Sequence, residues 1–181
     1  VRRGTYREQV NLSRSGRSGA PITLRSHPGE RAIIDGDGIR RDAVRITGNH
    51  IVFRNFTVQN SGLRGVLVSG TSHVTLRSIT SRNNGHVGIM FYNSRDSLLR
   101  NCTSHGNYDS QRITISKCSA YNNSDDGFDA WGSTDVVIEN SIAYRNGYDQ
   151  GDGNGFKLSQ LSNGRTTVRH SVAYENKVRG F

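Results

Sequence analysis

Apolar and polar residues alternate along this chain in short runs, and the runs repeat. Six eleven-residue segments align without gaps: IVFRNFTVQNS from Ile51, VTLRSITSRNN from Val74, SLLRNCTSHGN from Ser97, ITISKCSAYNN from Ile113, VVIENSIAYRN from Val136 and TTVRHSVAYEN from Thr166. The third column is apolar throughout (Phe53, Leu76, Leu99, Ile115, Ile138, Val168). The eighth is mostly small (Val58, Ser81, Ser104, Ala120, Ala143, Ala173). The eleventh is serine once and asparagine thereafter (Ser61, Asn84, Asn107, Asn123, Asn146, Asn176). Alternation with period two is the signature of a strand. A second strand-like motif, Gly-apolar-x-apolar, follows four residues after most of those asparagines: GVLV at Gly65, GIMF at Gly88, GFDA at Gly127 and GFKL at Gly155.

The segments start 23, 23, 16, 23 and 30 residues apart. A period near 23 without helical periodicity predicts an all-β solenoid, a right-handed parallel β-helix whose coils stack at about 4.8 Å. Each column then becomes a ladder of side chains, and the asparagines form a hydrogen-bonded ladder at a turn. PITLRS, AIIDG and AVRIT extend the same pattern toward the N-terminus as further coils. An immunoglobulin-like sandwich is the alternative, but it gives no reason for the period. One β-helix domain over residues 1–181 is expected. Its ends, VRRGTYRE and VRGF, fall in mid-pattern and are expected to be trimmed. The 16-residue spacing leaves no room for a Gly-apolar-x-apolar strand after Asn107. A segment of seven or more residues is therefore expected to be missing between Ser110 and Gln111. The 30-residue spacing places an extra loop, GYDQGDGN, before Gly155.

Composition sharpens the picture. The chain carries 24 Lys plus Arg against 15 Asp plus Glu, a net charge of +9, which favours polyanionic partners. No apolar run approaches the ~20 residues needed to span a bilayer. No helix-in-groove motif or aromatic platform points to nucleic acid. Cys102 and Cys118 share the sixth column on consecutive coils and are expected to form a buried thiol stack rather than a disulfide or a metal pair. His50 and His73 begin the same column and should stack, while His86, His105 and His170 form no metal-binding set.

Against this basic background, NNSDDGFDAWG gathers Asp125, Asp126 and Asp129 within five residues. In the Gly-apolar-x-apolar strands, the residues one and three after glycine should face the core: Val66 and Val68, Ile89 and Phe91, Phe128 and Ala130, Phe156 and Leu158. The residue between them faces out, giving a column Leu67, Met90, Asp129, Lys157. Asp129 and Lys157 should therefore sit side by side on adjacent coils, with Asp125 and Asp126 in the turn just before. Clustered carboxylates repel one another unless a cation or protons neutralise them, and calcium takes several hard oxygen ligands. The run lacks EF-hand spacing. A lysine beside such a cation can lose its proton and act as a base, which an arginine effectively cannot. The cation could also stabilise the enolate-like charge that forms when a carbon next to a carboxylate loses its proton. This is the chemistry of uronate β-elimination.

NNSDDGFDAW, VVIENSIAYRNG, DGNGFKL and VAYENKVRGF together resemble the pectate lyases of polysaccharide lyase family nine, and GTYREQVNL with GAPITLRSHPGERAIIDG resembles their opening coils. The resemblance implies a secreted, monomeric, calcium-dependent lyase that cleaves polygalacturonate to 4,5-unsaturated products. Asp125, Asp126 and Asp129 would be calcium ligands and Lys157 the base that takes the C5 proton. The family's further aspartate, in an ADGF-like motif, would fall in the segment absent after Ser110. Asp109 stands one coil before Asp125 and could approach the metal, without being the matching ligand. Tyr148, Asp149 and Asp152, in the loop before Lys157, could touch substrate. The same site would also suit a lyase or epimerase on alginate, a glycosaminoglycan or rhamnogalacturonan. A β-helix that only binds carbohydrate is the non-catalytic reading.

Overall fold

The computed structural model describes residues 1–85, 87–103, 110–123, 126–129, 135–147, 153–158 and 165–181, with no side-chain description for 110–113 and 129. Among these residues the alternation becomes twenty short strands. After β1 (Thr5–Tyr6) and β2 (Val10–Leu12), the coils run β3 (Ile22–Arg25), β4 (Ala32–Asp35), β5 (Asp42–Ile46); β6 (Ile51–Arg54), β7 (Phe56–Gln59), β8 (Arg64–Ser69); and β9 (Thr75–Arg77), β10 (Thr80–Arg82), β11 (Val87–Tyr92). Then come β12 (Ser94–Arg100), β13 (Ser110–Ser116), β14 (Ser119–Tyr121) and β15 (Phe128–Asp129). The last are β16 (Val136–Glu139), β17 (Ile142–Tyr144), β18 (Phe156–Lys157), β19 (Thr166–Arg169) and β20 (Val172–Tyr174). PITLRS, AIIDG and AVRIT are β3, β4 and β5, the three sides of one coil.

Every strand pair is parallel. The first face is one seven-stranded sheet, β3-β6-β9-β12-β13-β16-β19. The second is β1-β4-β7-β10 and β14-β17-β20, linked through bridges at Thr103. The third is β2-β5-β8-β11 and, separately, β15-β18. All-parallel pairing around three faces is a β-helix and excludes the antiparallel sandwich. Among the described residues no helix is long and apolar enough to cross a membrane.

The register reproduces the sequence columns. Ile115 opposes Leu99 on one side and Ile138 on the other, and Val168 opposes Ile138. The fifth column turns the chain from the first face to the second in the left-handed region: Asn55, Ser78, Asn101, Lys117, Asn140 and His170 have φ of 65, 55, 53, 54, 50 and 49°. Asparagine tolerates that conformation better than most residues. Inward columns form a continuous core, with Phe53 and Phe56 stacked at 4.6 Å. His50 and His73 stack at 4.6 Å as the column predicts. Cys102 and Cys118 are buried free thiols.

The asparagine ladder is present at Asn123, Asn146 and Asn176, while Asn107 lies outside the described residues. Asn146 accepts at Oδ1 from the Asn123 amide (3.2 Å), and its Nδ2 donates to Asn176 Oδ1 (2.8 Å) and to the Ala120 carbonyl (3.2 Å). This ladder explains two other columns. A Cβ on Gly127 would lie 2.6 Å from the Gly155 carbonyl, 2.8 Å from Asn146 Nδ2 and 2.9 Å from Ala143 Cβ. The motif glycine and the small eighth column make room for the asparagine between coils.

Two inward–outward expectations need correction. Leu158 was expected in the core but is 38% exposed. β18 stops at Lys157, so Leu158 lies past the end of the ladder. Leu67 points outward by alternation yet is only 5% exposed, because its column neighbours Arg45 and Met90 flank it. Ala130 lies outside the described residues. Ser110 and Gln111 both lie in β13, opposite Ser94 and Arg95. Among the described residues this short coil contributes no strand to the third face, and the ladder is interrupted between β11 and β15.

Candidate active site

The site forms where the third face resumes. β15 and β18 pair through Phe128↔Phe156 and Asp129↔Lys157, so Asp129 and Lys157 stand opposite each other in the backbone register of neighbouring coils, as the repeat predicts. Beneath them Phe128, Phe156 and Phe181 stack at 5.1 Å intervals, which fixes the height of the strands above the core.

Asp126 is the best-defined acidic group. It is 3% exposed and sits just before Gly127. Its Oδ1 accepts from the Asn154 amide (2.7 Å) and from Asn154 Nδ2 (2.8 Å). Its Oδ2 lies 3.3 Å from Lys157 Nζ, an ion-pair contact, yet it is buried and receives no aligned hydrogen bond. Burying a carboxylate oxygen is costly unless a cation serves it, and here the Lys157 ammonium is that cation. That oxygen is suited to a hard divalent cation. Among the described residues, no group of three or more His, Cys, Asp or Glu side chains is placed to hold a metal. Asp125 and the Asp129 side chain, the other two predicted ligands, lie outside that description, as do Asp109, Tyr148, Asp149 and Asp152.

A pocket of about 380 Å³ opens beside Lys157, lined also by Asn154, Phe156, Leu158, Arg179 and Phe181. Lys157 is 23% exposed at its side chain and reaches this space. Arg179 enters through the next coil, where Asn154 and Arg179 form a parallel bridge. Sequence reasoning passed over Asn154 and Arg179. Their signal was available: Asp126, Asn154 and Arg179 each precede a Gly-Phe pair, so they share one column. The arrangement offers an amine and a guanidinium lining an open pocket, with the buried Asp126 carboxylate against the amine, which suits an anionic ligand.

Comparisons with known proteins bear on the family and the fold. A family model described as "Pel9A-like, right handed beta helix region" matches residues 1–181. Pectate lyase L of Dickeya chrysanthemi is 30% identical over 204 residues, covering 95% of this chain and 48% of that protein. The crystal structure of pectate lyase Pel9A superposes with a TM-score of 0.86 at 29% identity, covering 99% of this chain and 55% of that one. A rhamnogalacturonan lyase shares the fold with a TM-score of 0.78 at 20% identity, over 99% of this chain and 61% of the other. The chain thus spans about half the length of the relatives it matches.

Proposed function

Because the chain belongs to the Pel9A-like right-handed β-helix family, we propose that it is a secreted, calcium-dependent pectate lyase acting on polygalacturonate by β-elimination. The observation that supports this most is Lys157, in register with Asp129 and 3.3 Å from the buried Oδ2 of Asp126. An amine alone on a sheet face would be a surface charge; here it shares a pocket with Arg179 and Asn154.

In this reading Lys157 Nζ takes the proton from C5 of the uronate. The electron pair left behind forms the C4–C5 double bond, the C4–O4 bond breaks, and O4 leaves with a proton from solvent. Lys157 must be neutral to act, and Asp126 beside it favours the ammonium form. Calcium held by Asp125, Asp126 and Asp129 would offset that preference and stabilise negative charge on the substrate carboxylate. Arg179 is positioned to pair with a uronate carboxylate, a contact a guanidinium can make bidentately. Asn154 holds Asp126 through two hydrogen bonds and so orients it toward Lys157.

A second reading keeps the same residues and changes the polymer, since a rhamnogalacturonan lyase shares the fold. Incubation with polygalacturonate, rhamnogalacturonan and alginate, with and without a chelator, separates the two. Unsaturated uronates should accumulate on polygalacturonate and stop on chelation. A rise on another polymer alone favours the second reading, and no rise on any polymer leaves only carbohydrate binding.

A further inference from the structure

The outward side of the first face carries a second feature, remote from Lys157. Arg25 opposes Arg54, Arg54 opposes Arg77, and Arg77 opposes Arg100 in the parallel register of β3, β6, β9 and β12. Four guanidinium groups are therefore stacked one per coil, about 4.8 Å apart at the backbone. Arg25, Arg77 and Arg100 are exposed and Arg54 is half-buried.

Several arginines elsewhere are matched by carboxylates on the neighbouring coil, and Arg82 by the Gln59 amide oxygen. Arg64 grips Asp42 at 2.6 Å, Arg145 meets Glu175 at 2.7 Å, and Arg165 meets Asp135 at 3.2 Å. In the ladder's own column, Arg169 is paired with Glu139 at 2.6 Å. None of the four stacked arginines has a carboxylate partner or donates a side-chain hydrogen bond among the described residues, and Arg54 Nε is buried with no acceptor. Four like charges in a row without counter-charges repel one another, a cost that an anion lying along the row removes. The neighbouring outward column is Thr23, Val52, Thr75 and Leu98, a neutral strip that places no negative charge beside them.

We propose that Arg25, Arg54, Arg77 and Arg100 form a non-catalytic track that binds an acidic polysaccharide strand along the coil axis, on a different face from the Lys157 pocket. A polyuronate presents one carboxylate per sugar unit, a repeating anion for a repeating cation, and guanidinium–carboxylate pairs are strong and directional. The choice of polyuronate rests on the lyase reading above. The track would hold polymer near the enzyme without taking part in cleavage.

The test separates binding from turnover. Retention in gels containing polygalacturonate is measured for Lys157→Ala protein, which cannot cleave the matrix, with and without Arg77→Gln and Arg100→Gln. A control carries Arg82→Gln and Arg145→Gln, exposed residues at the second face, which remove equal charge away from the ladder. Arg54 is left intact in this set because it is half-buried; Arg54→Gln is added separately, with a melting curve. The ladder pair should weaken retention about tenfold or more and flatten its salt dependence, while the control changes it little. Equal losses in both, or none in the ladder variant, overturn the proposal, as does tighter ladder-dependent binding to single-stranded nucleic acid than to polygalacturonate. With Lys157 restored, ladder variants should cleave short oligogalacturonates, too short to reach the track, at the unaltered rate. Cleavage of these oligomers together with ladder-independent retention overturns the track alone. Ladder-dependent retention without any cleavage overturns the lyase reading alone.

Discussion

Asn146 links the fold to the site, and replacing it by alanine has a calculable cost. The side chain is fully buried and makes three hydrogen bonds, to Asn123, Asn176 and Ala120. At roughly 1 kcal/mol net for each, the loss is about 3 kcal/mol. The Asn123 amide, left without its acceptor in a buried residue, pushes it higher. For a chain of this size each kcal/mol lowers the melting temperature by about 2–4 °C, so Asn146→Ala should melt about 6–12 °C lower. The damage should concentrate on neighbouring coils, because a solenoid is held by nearest-neighbour contacts. Those coils carry Asp126 and Lys157, so turnover should fall with the local loosening. Asn146→Asp keeps the acceptor but sets a buried carboxylate oxygen against two other acceptors, and should melt no higher than Asn146→Ala. Calorimetry or circular dichroism reads the melt. A loss below about 1 kcal/mol would show that the ladder is decorative and that the core alone holds the coils.

Three further outcomes follow from other columns. Burial works to raise the Asp35 pKa, but donors from Gln59, the Asp37 amide and Asn60 outweigh it and hold the carboxyl below its ordinary value. Its stabilisation is present above the unfolded carboxylate pKa of about 3.9 and is lost as pH falls through the lower folded value; melting of the wild type should therefore drop more steeply below about pH 4 than that of Asp35→Asn. Burial raises the Cys102 thiol well above its ordinary range, so Cys102 should react with a thiol reagent only after denaturant is added, and fast native labelling would contradict that. We also propose that the short coil lacks a native third-face strand. The 204-residue match to the Dickeya chrysanthemi enzyme is longer than the 95% of this chain it covers, so that enzyme has residues this chain lacks. Peptide mapping of protein from its natural source should find at least seven residues between Ser110 and Gln111, and a peptide joining them directly would refute it.

Much of this was legible because, in a solenoid, sequence alignment and spatial register are the same thing. Placing Ile138 beneath Ile115 in the text places it beside Ile115 in the sheet. For the same reason the Asp129–Lys157 juxtaposition needed no tertiary guess. What escaped the reading depended on where ladders end. Leu158 follows the alternation but lies past the last paired residue of β18, so the pattern assigned it a core position it does not hold. Arg179 belongs to a coil with too few residues to show a full motif, although its place before Gly-Phe marks the column it shares with Asp126. The partnering of Asp126 with Asn154 was obscured for another reason: both precede a Gly-Phe pair and share a column, but the extra loop of the 30-residue spacing separates them along the chain.

The account stands most directly on Lys157. The measurement is the initial rate of unsaturated-uronate formation on polygalacturonate with calcium, for the wild type and for Lys157→Ala of equal melting temperature. Removal of a general base should lower the rate by about 10²–10⁴-fold or more. A Lys157→Ala protein that keeps its fold and turns over within a few-fold of the wild type would contradict the account and assign the base elsewhere.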